Sequence, residues 1–131
     1  MSNYRPKKKD ADGFADLPRK TLSAGAYLFL EGDPGSSLYL LTKGQVEVFK
    51  VGSQGEKVLA NLGTYQILGE MSVLHKGIRM ASVRALEDCE FYELPGQIIR
   101  DHLNNQPLWF RLVIESLLSK LNVMNVKTAD K

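Results

Sequence analysis

A glycine, a carboxylate and a serine, followed after a short loop by an arginine, are the residues of this chain best suited to do chemistry together. They stand in Gly69-Glu70-Met71-Ser72-Val73-Leu74 and in Arg79-Met80-Ala81-Ser82-Val83. A glycine lets backbone approach an anion closely, and the N–H groups of the turn behind it, at Met71 and Ser72, can point at phosphate oxygens. Arg79 presents a rigid fork of donors matched to a phosphate and cannot lose its charge. The N–H groups of Met80 and Ala81 beside it are further candidate phosphate donors. Glu70 repels a phosphate, so its partner is expected to be a hydroxyl donor such as a ribose 2′-OH. Ser82 has two readings, a ligand contact or a hydroxyl used in capping and strand packing. One arginine, one acid and a small anion-binding turn suit a ligand with one negative charge and a free ribose hydroxyl. A 3′,5′-cyclic nucleotide meets that description.

These groups need elements to position them. From Ala26 to Leu94 the chain carries short runs rich in β-branched, aromatic and leucine residues: Tyr27–Leu30, Leu38–Leu41, Val46–Phe49, Lys57–Ala60 and Cys89–Tyr92. Turn chemistry separates them, at Glu31-Gly32-Asp33-Pro34-Gly35, Lys43-Gly44, Gly52–Gly55 and Asn61-Leu62-Gly63. Strands this short and this regularly punctuated predict a mainly β domain, a barrel or jelly roll with flanking helices. At Pro95 the pattern changes: Ile98, Ile99, His102 and Leu103 follow at helical spacing. Asn104-Asn105-Gln106-Pro107 predicts a stop and a restart. In the last helix Phe110, Ile114, Leu117, Leu121 and Met124 form a heptad-like seam, and Trp109, Leu112 and Val113 a second stripe. One stripe can pack on the strands and leave the other for a second subunit, a partner or the ligand; alternatively, both are buried in a monomer.

The ordered set around Gly69 resembles the phosphate-binding cassette of the cyclic nucleotide-binding domain family. The cassette there reads roughly Gly-Glu-(Leu/Met)-(Ala/Ser)-x-Leu, a loop, then Arg-x-Ala-(Thr/Ser)-Val. Gly25 to Gly35 and Leu38 to Val46 are similar to that family's first strands and turns, so the resemblance runs from about Gly25 to about Leu121. It implies a double-stranded β-helix or jelly roll with a short cassette helix and C-terminal helices. It also implies a cyclic-nucleotide site at Gly69, Glu70, Met71, Ser72, Arg79, Met80, Ala81 and Ser82. Family members that favour cGMP often place a threonine after the arginine. Met80 has no good donor there, which favours cAMP over cGMP. The chain departs from the pattern Leu-x-x-Gly-x-x-Phe-Gly-Glu before the cassette, with Tyr65 in place of the turn glycine and Leu68 in place of phenylalanine.

Composition bounds the remaining possibilities. A chain of 131 residues, 44% hydrophobic and 24% charged, is one ordinary globular domain. The organisation expected is a flexible basic tail over 1–20, the binding domain with its helices over 21–126, and a short tail over 127–131. Arg5, Lys7, Lys8 and Lys9 carry the basicity; without them 13 basic residues face 15 acidic ones. That tail is either an electrostatic anchor or a solubilising flap. No apolar run approaches the ~18 residues of a membrane span, so a cytoplasmic protein is expected. The lone Cys89 excludes an intrachain disulfide and a cysteine-built metal site. His75 and His102 are not at metal-ligand spacing, and no nucleophile–base pair or Walker loop is present. Neither a metal, a cofactor nor an enzyme activity is expected.

The function expected is that of a stand-alone sensor that binds cAMP, with cGMP the second choice. Occupancy would pass through the C-terminal helices to a partner or a second subunit. After Leu121 only ten residues remain, too few for a helix-turn-helix that would read DNA. The competing class is an interaction module that keeps the fold without binding nucleotide and docks a partner through its apolar C-terminal helix.

Overall fold

Eight strands pair so that the numbers of the main partners sum to nine. They are β1 (Arg19–Leu22), β2 (Tyr27–Phe29), β3 (Leu38–Lys43), β4 (Val46–Gly52), β5 (Gly55–Leu62), β6 (Ile67–Leu68), β7 (Ser82–Ala85) and β8 (Cys89–Leu94). The computed structural model describes residues 17–73 and 77–129. β4 and β5 form the innermost hairpin, and β3–β6, β2–β7 and β1–β8 nest around it, all antiparallel. Further pairing of β3 with β8 and of β4 with β7 gives two four-stranded sheets, ordered β1-β8-β3-β6 and β2-β7-β4-β5. This is the strand order of a jelly roll, with two open sheets rather than one closed barrel.

The core lies between the sheets. Leu28, Tyr39, Leu41, Val46, Leu68, Val83, Ala85, Cys89 and Phe91 form one buried cluster. Along β4, Val46 and Val48 turn inward to this cluster, whereas Phe49 is buried on the opposite face of its sheet, against Tyr27 and beneath the Arg84 guanidinium. The bulge in this hairpin lies on β5, where Leu59 is the extra residue between the pairs Val48–Ala60 and Phe49–Val58. β3 is buried on both faces: Tyr39 and Leu41 face the main core, while Leu40 packs with Tyr92, Leu17, Tyr65 and Ile67.

Two features refine the sequence expectations. β1 takes in Arg19 and Lys20, the last residues of the segment expected to be tail. Antiparallel pairing with β8 holds them, and the Arg19 guanidinium donates to the Tyr92 hydroxyl at 2.9 Å and lies over its ring. The basic residues Arg5 to Lys9 lie outside the described residues. Tyr65, in place of the family's turn glycine, adopts the left-handed φ of 65° that such a glycine would serve. Its N–H donates to the Leu41 carbonyl at 2.6 Å, and its ring joins the Leu40–Tyr92 cluster. Packing and a backbone hydrogen bond thus offset a conformation that costs a non-glycine residue about 1–2 kcal/mol. Leu68, the second departure, is buried in the core.

The helices begin and end where the prolines and asparagines predict. Pro95 precedes α1 (Gly96–Asn104), and Asn105 closes it through its N–H to the carbonyls of Asp101 and His102. Pro107 stands before α2 (Leu108–Ala129) and its carbonyl accepts from Phe110 and Arg111. The arrangement with both α2 stripes buried by the chain itself is not found. Trp109, Leu112, Val113 and Leu117 are exposed, Phe110 lies at the edge of exposure, and Ile114 is half-buried. The side chains of Leu121 and Met124 lie outside the described residues. Among the described residues no helix is long and apolar enough to cross a membrane.

Phe91 is 1% exposed and meets Tyr39 edge-on, whereas Leu117 is 54% exposed. Phe91→Ala is therefore expected to cost about 3–5 kcal/mol in urea unfolding, and Leu117→Ala in monomeric protein about 0.5 kcal/mol or less.

Candidate functional site

The connection from β6 to β7 crosses from one sheet to the other, and it is the segment that holds the glycine, the acid and the arginine. It leaves β6 at Gly69, which has a φ of +88°, makes a single 3-10 turn over Glu70–Val73, and returns through Gly77 and Ile78 to Arg79. Its return limb is fastened to the β2–β3 loop. Arg79 N–H donates to the Asp33 carbonyl at 2.9 Å, Gly32 N–H to the Arg79 carbonyl at 2.8 Å, and Gly35 N–H to the Gly77 carbonyl at 2.6 Å. Ser82 closes the frame by accepting from Glu31 N–H at 2.8 Å, so of its two readings the geometry displays the strand-packing one.

Arg79 is only 4% exposed. Its Nη1 donates to the Ser37 carbonyl at 3.0 Å and to the Ser72 hydroxyl at 2.9 Å, while that hydroxyl donates onward to the Gly69 carbonyl at 2.8 Å. The guanidinium stacks over the Phe29 ring at 4.1 Å and stands 5.8 Å from the Tyr39 ring centre. Two glycines make room for it. A Cβ on Gly35 would lie 2.9 Å from Nε, and one on Gly69 would lie 2.8 Å from Nη1. Either Cβ would force the guanidinium to shift, and one on Gly69 would also lie 2.9 Å from the Ser37 carbonyl oxygen, which is backbone.

What the arginine lacks is a counter-charge. Arg84, five residues on, is bracketed by Glu47 and Glu56, both of which hold it in the charged form. Arg79 makes no ion pair with a carboxylate among the described residues, and its buried Nε finds no acceptor there. Burial pulls its pKa down, and the more distant Tyr39 and Glu93 push the other way. A buried guanidinium held by one carbonyl, one hydroxyl and ring faces retains most of its attraction for an anion. Tyr39 is itself pushed up by burial and by Glu93, whose carboxylate accepts from its hydroxyl at 3.4 Å.

Glu70 opens the 3-10 turn at the rim. It is exposed to solvent along part of its surface, yet the protein crowding its carboxyl raises its pKa, partly offset by a hydrogen bond from its own backbone N–H. Of the other residues expected at the site, Met71 lies in the turn with its side chain outside the described residues. Ser72 is buried, with its N–H turned to the Gly69 carbonyl at 3.3 Å. Met80 and Ala81 are half-buried and lead into β7. Leu74 and His75 fall outside the described residues, and His102 is exposed. Among the described residues no three His, Cys, Asp or Glu side chains stand together as a metal site would need. Sequence reasoning missed Gly35, the Ser37 carbonyl, Phe29 and Tyr39. The aromatic pair was visible as strand residues, but only the jelly-roll pairing sets them beneath an arginine 40 or more positions away.

A family model described as "Cyclic nucleotide-binding domain" matches residues 19–106. This chain belongs to that family. Among curated relatives, the Cyclic AMP receptor protein of Thermus thermophilus is 42% identical over 77 residues, 58% of this chain and 36% of the receptor. The cGMP-dependent protein kinase 2 of Mus musculus is 32% identical over 80 residues, 61% of this chain and 10% of the kinase. The chain thus spans about a third of that receptor and a tenth of that kinase. Among solved structures, the cAMP-bound form of the EAL enzyme Bd1971 superposes with a TM-score of 0.77 at 29% identity, covering 86% of this chain and 30% of that one. The N-terminal domain of a transcriptional regulator from Streptomyces coelicolor A3(2) gives 0.67 at 29%, covering 96% and 88%. The binding domain is what all of these share with the present chain.

Among the described residues the Ser72 hydroxyl is the single side-chain oxygen that holds Arg79. Ser72→Ala removes a buried hydrogen bond to a charged group and is expected to lower unfolding free energy by about 1–3 kcal/mol, measured in urea.

Proposed function

We propose that this cyclic nucleotide-binding domain is a sensor that binds cAMP in preference to cGMP and passes occupancy through α1 and α2 to a partner or a second subunit. It acts by binding rather than as an enzyme, and in the cytoplasm. One observation carries the reading: among the described residues Arg79 is buried without a carboxylate partner and with Nε unpartnered, at the end of a cassette whose rim holds Glu70. A cyclic phosphate supplies the missing negative charge, and a ribose hydroxyl supplies a donor for the carboxylate. Met80 supports cAMP because a thioether offers the guanine base no hydrogen-bond donor. Bd1971, which shares the fold, has structures with cAMP bound and with cGMP bound, so the fold by itself does not choose between the nucleotides. The exposed Trp109, Leu112 and Leu117 of α2 suit the second part of the proposal, an interface with another chain. They also suit the competing reading, a domain that docks a partner without nucleotide.

Calorimetry with cAMP and cGMP decides between the two. The sensor binds cAMP more tightly than cGMP; no heat with either at millimolar concentration establishes the docking module. Arg79→Ala is expected to lose about 2–5 kcal/mol of cAMP affinity, roughly 30- to several-thousand-fold, with the fold retained by circular dichroism. The 2′-deoxy analogue of cAMP should bind wild type more weakly than cAMP does, and should lose nothing further in Glu70→Ala.

Acid weakens the same complex. The Glu70 pKa is raised in the free protein, so its carboxyl takes up a proton above the ordinary glutamate range. A ribose hydroxyl donates to the ionised form, so binding expels that proton. Affinity is therefore full above the raised pKa and falls as pH drops through it, by at most about tenfold per pH unit. Glu70→Gln, which keeps an acceptor but does not titrate, is expected to flatten the profile.

A further inference from the structure

Helix α1 rests on the same short segment, Gly35-Ser36-Ser37, whose outer two residues hold Arg79. Gly35 lies against its Nε edge, and the Ser37 carbonyl accepts from Nη1 at 3.0 Å. Ser36, between them, faces the other way and meets Gly96, the buried first residue of α1. A Cβ on Gly96 would lie 2.7 Å from the Ser36 hydroxyl oxygen and 2.9 Å from its Cβ, with the Ser36 carbonyl closer still. Gly96 is not in the positive-φ region, so its lack of a side chain serves close approach and not an unusual turn. It carries no benefit for the helix either: glycine is a poor helix former, and Pro95 makes no side-chain cap. What remains is contact. The helix start and the β2–β3 loop touch with no atom to spare.

A second tie runs in parallel. Tyr39, beside the guanidinium, donates to Glu93, and Glu93 stands three residues before Gly96 at the end of β8. The arginine is thus joined to the root of α1 by a backbone strut and by a side-chain bridge.

We propose that the segment Gly35-Ser36-Ser37 is a coupling strut, in which Ser36 pressed on Gly96 converts anion engagement of Arg79 into a shift of α1 and α2. The inference rests on the reading that the phosphate sits at Arg79. An anion competes with the Ser37 carbonyl for Nη1, and a guanidinium wedged against Gly35 cannot move without moving the loop. Close-packed contacts pass such displacements on because they do not compress. The shift arises only if the two positions of the helix differ in affinity for the ligand, and the strut supplies that difference. Ser36 and Gly96 are positioning residues; neither belongs to the binding set.

Trp109, the only tryptophan, is 67% exposed on the first turn of α2 and reports on that helix. The experiment is Trp109 fluorescence with cAMP titrated into the full chain, paired with calorimetry on the same samples. Wild type is expected to bind cAMP and to change its Trp109 emission. Gly96→Ala, which wedges the contact apart, and Ser36→Gly, which slackens it without adding bulk, are expected to bind within about fivefold of wild type. In both, the emission change should fall below half. Ser36→Gly keeps the test decisive if Gly96→Ala fails to fold. Full wild-type amplitude in a variant that binds cAMP overturns the strut, as does wild-type binding without any emission change. Absence of binding heat in wild type overturns the functional reading itself, a different result from either.

Discussion

A positive charge buried without its complement is the constraint around which this domain is built. Burying a guanidinium is expensive unless its donors are satisfied and its charge offset. Here the hydroxyl of Ser72, the carbonyl of Ser37 and the faces of two aromatic rings meet only part of that demand. Arg84, in the strand that follows, shows what full compensation looks like: two carboxylates, at the surface. Arg84 thus has its charge offset by two carboxylates, whereas Arg79 pairs with none among the described residues. On the proposed reading, a ligand that brings the missing charge recovers the stability given up at Arg79, and that binding free energy becomes available to move other parts of the molecule.

The surroundings of Arg79 are consequences of that constraint. Glycines at 35 and 69 let backbone reach the guanidinium edges, and Ser72 has a hydroxyl that both receives from the arginine and gives to the turn. The jelly-roll pairing brings Phe29 from β2 and Tyr39 from β3 beneath it, and the loop between those strands grips the returning limb of the cassette. Site, core and helix root therefore share residues. Tyr39 belongs to the hydrophobic core, to the cation's ring cage and to the bridge toward Glu93 at once.

The cassette was legible in the sequence because its members lie within 14 residues and their chemistry is unusual in combination. The helix boundaries were legible because Pro95, Asn105 and Pro107 act locally. β1 was not, since Arg19 and Lys20 look like the end of a charged tail; what makes them a strand is β8, some 70 residues away. The Ser37 carbonyl was invisible for a related reason: any residue could supply it, and only the fold decides which one does. Tyr65 marks a third kind of limit. The departure from glycine was plain, but how a tyrosine tolerates a left-handed φ depends on Leu40, Leu41 and Tyr92.

The nested pairing also imposes an order on folding. The hairpin of β4 and β5 closes across two residues, whereas β1 reaches β8 only across a loop of nearly 70. Loop-closure entropy grows with length, and each inner pair shortens the effective loop that the next must close. On loop-closure entropy the sheets are expected to zip outward, with the cassette, spanning β6 to β7, drawn tight as the second and third pairs form. The Arg79 clamp needs the β2–β3 loop as well, so it belongs to the late stages of folding. That clamp, which joins the cassette to the β2–β3 loop, and the β1–β8 pairing are the contacts that this order places latest.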